Sequence, residues 1–135
     1  MSDKHKHLEF IQGVVNRLAA NSFQVKGWSV LLVSALFALT ASGGSPALAW
    51  IALIPAVVFW GLDGYFLRQE RLFRKLYDRV RLRKEAEIDF SMSTVEVATQ
   101  VDGWFKVSTS KTLLPFHGTV TAIALVAAWV ISYGC

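Results

Sequence analysis

The sequence predicts an all-α membrane protein, built from a transmembrane helical hairpin and a third transmembrane helix. Two observations support this fold class. Of 135 residues, 53% are hydrophobic and 18% charged, and the mean hydropathy is +0.40, which argues against an ordinary soluble domain. The charges are also absent from two long runs, 36 residues at 27–62 and 24 residues at 112–135. A membrane span needs about 20 apolar residues, so the second run fits one span and the first fits two arms.

Residues 1–22 are predicted to form an amphipathic cytoplasmic helix. Apolar residues recur there at the spacing of one helix face, while most polar residues fall elsewhere. The apolar positions are Leu8, Ile11, Val15 and Leu18.

Residues 23–67 are predicted to form the two-span hairpin. The Ser-Gly-Gly-Ser-Pro sequence at 42–46 is typical of a tight turn and divides the first uncharged run into arms at 23–41 and 47–67. Pro55 lies within the second arm, where it removes a backbone donor and predicts a kink. The third span is expected at 113–133, within a final region 112–135.

The basic residues predict the orientation, since Lys and Arg favour the cytoplasmic flank of a span. Four of the 14 lie before or at the start of the first span, with Lys26 reaching back to the headgroups, and the other ten lie between the second and third spans. The turn at 42–46 and the C-terminal flank have none. We therefore expect a multi-pass protein of the bacterial inner membrane, with a cytoplasmic N-terminus and an external C-terminus.

The hairpin turn also predicts an interfacial ion pair between Lys26 and Asp63. Lys26 lies 18 residues before Gly44 and Asp63 lies 19 after it, so antiparallel helices of equal rise bring both charges to a similar depth. The alternative is that each side chain reaches water separately.

Residues 68–111 are predicted to begin with a long cytoplasmic stalk helix that continues the second span to about residue 87. Its apolar stripe needs cover from the N-terminal helix, the membrane or another subunit. An adjacent face is basic and predicts binding of anionic lipid headgroups, with internal ion pairs or a phosphate-bearing signal as alternatives. Nucleic acid is not the expected partner. The basic residues are Arg68, Arg71, Lys75 and Arg79.

The rest of this region, 91–111, allows two structures. Residues 95–101 alternate between apolar and polar, and Asp102-Gly103 suits the turn of a small β-hairpin. An interfacial helix that places Trp104 and Phe105 in the headgroup layer is the competing prediction.

Few polar groups are placed for chemistry, so we expect no enzyme, no cofactor and no metal site. His5 and His7 have no further partner for a metal, and Cys135 is the single cysteine. Asp63 and His117 could form a proton relay, since ionisable residues at the ends of spans often serve ion pathways.

Small residues on the spans predict close helix packing, either within one subunit or in a homo-oligomer. They recur at intervals of four on two of the spans. The first span has Ser34 and Ala38, and the third has Ala124, Ala128 and Ser132.

Several motifs together resemble a family of small bacterial three-span membrane proteins of unassigned function. They are KHLEFIQ at 6–12, NSF at 21–23 followed by KGW at 26–28, FWGLD at 59–63, RQERLFRKLY at 68–77 and DFSM at 89–92. The resemblance covers most of the chain and implies no catalytic residues. In size and plan the family is similar to membrane effectors of anti-phage defence systems.

Two functions follow as expectations. The first is a homo-oligomeric, channel-like effector of the inner membrane, acting in anti-phage defence, that perturbs the membrane when it receives a cytoplasmic signal. The second is a non-catalytic membrane anchor or accessory subunit that recruits a cytoplasmic protein through 85–111.

Overall fold

Three long helices dominate the computed structural model, which describes residues 2–134 and leaves Cys135 outside the described part. Helix α1 spans Asp3–Ala41, α3 spans Leu53–Arg81 and α5 spans Leu114–Tyr133. Two short helices, α2 at Ala47–Ile51 and α4 at Trp104–Ser108, lie between them. The three apolar regions are long and hydrophobic enough to cross a membrane, and most of their side chains face outward.

The N-terminal helix and the first apolar arm form one continuous helix. The sequence predicts a boundary at residues 22 and 23, yet α1 continues through it to Ala41. No proline lies in α1, and each of its two glycines, Gly13 and Gly27, lowers helix stability by only about 1 kcal/mol. The change from polar to apolar residues therefore occurs within one continuous helix.

The hairpin turn forms at the predicted place. Gly43 has a φ of +103°, a conformation that favours glycine. A Cβ at Gly44 would lie 2.6 Å from the carbonyl oxygen of Leu39, so the turn leaves no room for a side chain there. The second arm is interrupted at Ala52. Pro55 has no N–H to donate to the Ile51 carbonyl four residues earlier, which explains the break.

α1 and α3 run antiparallel and share two apolar contact regions. Near the turn, Val33 packs with Ala52 and Ala56 of the second arm and with Ala124 of α5. At the far end, Ile11 packs with Leu76 and Val80 of α3. The apolar stripe of the predicted stalk is thus covered by α1, the first of the three alternatives.

The chain between α3 and α5, residues 82–112, returns along the α1–α3 pair, and we call it the return segment. Ile88 and Met92 pack on the Ile11 cluster, while Val107 packs with Leu67 and Leu113. The Glu85 carboxylate accepts hydrogen bonds from the backbone N–H groups of Asp3 and Lys4, at the start of α1. The stalk helix ends at Arg81, six residues earlier than predicted.

The β-hairpin predicted as one alternative for residues 95–109 is wrong. Val95–Gln100 forms a 3₁₀ helix and Trp104–Ser108 forms α4. An isolated two-stranded hairpin is marginal in water, whereas these turns bury Val97 and Val107 against α3 and its neighbours. α4 agrees with the competing prediction of a helix.

Candidate functional site: a buried charge cluster between the long helices

Charged and polar side chains from all three long helices meet around one carboxylate. Asp63 of α3 is fully buried, and so is His117 of α5. α1 contributes Ser22 and Lys26, which lie one helical turn apart on the same face. These four side chains, which we call the Asp63 cluster, are the best candidate for a functional site.

Asp63 accepts hydrogen bonds from three donors. Lys26 Nζ lies 2.6 Å from Asp63 Oδ2, and His117 Nε2 lies 2.7 Å from the same oxygen. The Ser22 hydroxyl donates a short hydrogen bond to Asp63 Oδ1 and accepts one of 3.0 Å from Lys26 Nζ. The structure thus brings together both predicted pairs of residues, Lys26 with Asp63 and Asp63 with His117, and adds Ser22 to them.

The burial of this carboxylate has an energetic consequence. A buried ion is strongly unfavourable unless it is paired and hydrogen-bonded, because the charge has left water. Lys26 neutralises Asp63, and its side chain stays 25% exposed, so the cluster reaches the protein surface along Lys26. The cluster holds α1, α3 and α5 together at one level.

The two ring nitrogens of His117 have different surroundings. An ionised carboxylate only accepts, so Nε2 must carry the hydrogen that reaches Asp63. In the neutral ring Nδ1 is then a bare acceptor, and it is buried with no hydrogen-bond partner among the described residues. The indole of Trp60 stacks on the imidazole, with ring centroids 6.1 Å apart and an interplanar angle of 10°.

α4 packs closely against glycines of α3, next to the Asp63 cluster. A Cβ on Gly64 would lie 2.0 Å from Ser108 Oγ, so only glycine fits there. The Trp104 indole donates to the Gly61 carbonyl at 2.9 Å, and the Trp60 indole donates to the Ser108 carbonyl at 2.7 Å. Glycines at 61 and 64 therefore seat α4 beside Asp63.

Comparison with protein-family models, with curated proteins and with solved structures gives no match to this chain. Its function must therefore be inferred from its own residues.

The predicted basic face contacts the return segment. Arg68 Nε donates to the Asp102 carbonyl at 3.1 Å, and an Arg71 guanidinium N–H donates to the Thr112 hydroxyl at 3.2 Å. Arg79 forms an ion pair with Glu96. Lys75 lines a surface groove of about 360 Å³ together with Arg71, Arg74 and Asp102, among others. Three of the four predicted residues thus bind the return segment.

The small residues divide between two environments. Ala124 and Ala128 are fully buried within the three-helix bundle, and Ser132 accepts a hydrogen bond of 2.7 Å from the Trp50 indole. Ser34 and Ala38 remain exposed on α1. The α5 face is therefore used within the subunit, and only the α1 face remains available to a neighbour.

Sequence reasoning missed Ser22 and Trp60 as parts of the site. Ser22 lies four residues before Lys26, and this spacing was the available signal for it. No comparable signal placed Trp60 against His117. Among residues 2–134, no three His, Cys, Asp or Glu side chains gather closely enough to hold a metal ion.

Proposed function

We propose that this chain is a multi-pass protein of the bacterial inner membrane, with the N-terminus and the return segment in the cytoplasm. Exposed aromatic side chains near the Asp63 cluster support this placement, because aromatic residues favour the headgroup level. Phe23, Trp28, Tyr65, Trp104 and Phe105 are each about half or more exposed. The basic residues of α3 and the return segment follow on one side of this level.

Its proposed activity is that of a homo-oligomeric membrane effector that perturbs the bilayer when a cytoplasmic signal reaches it. One observation carries this proposal: α1 and α3 each continue without a break at the level of the Asp63 cluster, from the charged region into the apolar region. A helix of 39 residues is about 58 Å long and transmits a displacement along its axis. A signal that moves the return segment would therefore move the spans.

Oligomerisation is part of the proposal because three helices leave no room for an aqueous path between them. The interior of this bundle is filled by Val33, Ala56 and Ala124. A conducting path would need several copies around an axis. The exposed Ser34 and Ala38 of α1 are compatible with close contact to a second copy. Depolarisation of the membrane, in anti-phage defence, is the effect that we propose for the assembled chain.

The test is induced expression with a potential-sensitive dye. The wild-type chain should depolarise cells, and replacement of all four basic-face residues by Gln should abolish this, since α3 then no longer holds the return segment through charged side chains. The four are Arg68, Arg71, Lys75 and Arg79. A matched control removes the same charge from exposed basic residues elsewhere: Lys6, Arg17, Arg81 and Lys84. Fully polarised cells with the wild-type chain abundant in the membrane would refute the effector proposal.

The orientation has its own test. In a Cys135→Ser background, Ser45→Cys should react with an impermeant maleimide in intact cells, because the turn faces outward. Glu87→Cys should react only after the cells are permeabilised. The reverse pattern would refute the topology.

A second function, an anchor for a cytoplasmic protein, is favoured by two apolar side chains of the return segment. Leu82 and Val95 are each 78% exposed. The anchor predicts polarised cells and a stoichiometric protein that co-purifies with the wild-type chain and is absent from preparations of Leu82→Ser/Val95→Ser.

A further inference from the structure

Two nitrogen donors in the Asp63 cluster share one oxygen atom. Lys26 Nζ and His117 Nε2 both lie within hydrogen-bond distance of Asp63 Oδ2. With a neutral imidazole, the ammonium is the only cation on the carboxylate and the buried charges cancel. A second cation on the same oxygen would be repelled by the first in a site of low dielectric.

The second ring nitrogen of His117, Nδ1, is free to accept a proton. Its Nδ1 lone pair is buried and has no partner among the described residues. A proton on Nδ1 would create an imidazolium with the Asp63 carboxylate at its edge and the Trp60 indole on its face. The carboxylate stabilises this cation by charge.

The ammonium group of Lys26 can move from Asp63 to water. Its side chain is 25% exposed, whereas Asp63 and His117 are fully buried. A lysine can swing its ammonium group to water while its methylene stem stays on the helix surface. The ammonium thus has a hydrated alternative that the imidazole lacks.

We propose that His117 is a proton-binding site whose occupation exchanges Lys26 for an imidazolium as the counter-ion of Asp63. A proton moves from water to His117 Nδ1, and the Lys26 ammonium group leaves Asp63 Oδ2 for the aqueous surface. The buried charge is zero before and after the exchange. The exchange breaks the ion pair that joins α1 to α3 and leaves the Ser22 hydrogen bond to Asp63 as the polar link between these helices at this level, so proton uptake loosens their contact.

Two charged side chains are bonded into the Asp63 cluster with His117. α1 provides Lys26, with the neutral Ser22 beside it, and α3 provides Asp63. α4 presents Ser108 on this side, while its Lys106 is exposed and pairs with Asp102. Lys26 is therefore the competitor of the proton.

The first experiment follows the ring nitrogens of His117 by NMR as pH is lowered, with the purified full chain in detergent micelles. Lys26→Met should let His117 bind its proton about tenfold more tightly than in the wild-type protein, a shift of one pH unit, because the competing cation is gone. Lys106→Met is the matched control, since it removes an exposed lysine away from the cluster, and it should leave the titration unchanged. Equal titrations in the two variants would overturn the proposal.

The second experiment observes Lys26 directly and does not depend on the folding of Lys26→Met. The side-chain resonances of Lys26 should change with the same pH midpoint as those of His117. His117→Gln keeps an N–H donor for Asp63 but cannot bind a proton, so its Lys26 resonances should not respond to pH. Lys26 resonances that ignore pH in the wild-type protein, or still respond in His117→Gln, would refute the exchange. Both measurements use purified protein, so their outcome is separate from that of the depolarisation assay.

Discussion

A double-mutant cycle at Lys26 and Asp63 tests whether the Asp63 cluster holds the helices together. Asp63→Asn removes the carboxylate and leaves three donors without their ionic acceptor. Removal of one partner of a buried pair typically costs about 3 to 5 kcal/mol. Lys26 is 25% exposed and can reach water, so we expect the lower end, about 3 kcal/mol.

Lys26→Met leaves the carboxylate buried but still hydrogen-bonded to His117 and Ser22. Its cost should be larger, about 4 kcal/mol, because the buried carboxylate has lost its counter-ion even though two of its three donors remain. In the double variant no buried charge is left, so its cost should fall short of the sum of the single costs by at least about 1 kcal/mol.

Reversible unfolding in mixed micelles of rising SDS fraction measures these free energies of unfolding. The matched control is the cycle at Asp78 and Arg81, an exposed pair 3.4 Å apart on α3, whose coupling should not exceed about 0.5 kcal/mol. Costs at Lys26 and Asp63 that add within about 0.5 kcal/mol would show that the two side chains act independently and would refute the reasoning.

Three further predictions concern the packing of the return segment. Gly64→Val should displace α4, because even a Cβ at this position would overlap Ser108. A lower melting temperature and altered fluorescence of the Trp104 indole would show the displacement, and unchanged values of both would contradict it. The Ser91 backbone N–H, helped by an arginine charge, holds the pKa of Asp89 below its ordinary value of 3.8. The hydrogen bond to Asp89 therefore stabilises the folded state at pH values above the pKa that Asp89 has in the unfolded chain, and this stabilisation disappears as pH falls through its pKa in the folded protein. Asp89→Asn should remove the corresponding pH dependence from the Ser91 amide resonance. Glu96→Gln should speed hydrogen exchange in the return segment more than Arg79→Gln does, since Glu96 contacts two arginines.

The parts of the fold that depend on hydropathy and chain geometry could be predicted from the sequence. Uncharged runs and one five-residue turn predict three long apolar helices, which the structure contains. Because helix rise is constant, distance from the turn also predicts that Lys26 and Asp63 come to the same level, and their side chains are in contact.

Other features depend on information that one sequence does not contain. Asp63 and His117 could be paired by their position at span ends, but α5 is apolar all round, so its hydropathy does not indicate the rotation that turns His117 towards the carboxylate. The same rotation buries Ala124 within the subunit. The alternation at 95–101 is too short to separate a strand from a 3₁₀ helix, and packing against α3 determines the outcome.

The order of the cluster along the chain has a consequence for synthesis. Lys26 precedes Asp63 by 37 residues, whereas His117 follows it by 54. A chain made from its N-terminus completes the α1–α3 hairpin, with its carboxylate already neutralised, before α5 has left the ribosome. In the proposed membrane topology, the Lys26–Asp63 pair therefore enters the bilayer with no net charge, and α5 joins afterwards through one imidazole. Loss of Lys26 would then impair insertion of the newly made hairpin, while loss of His117 would spare insertion and affect only the docking of the last helix.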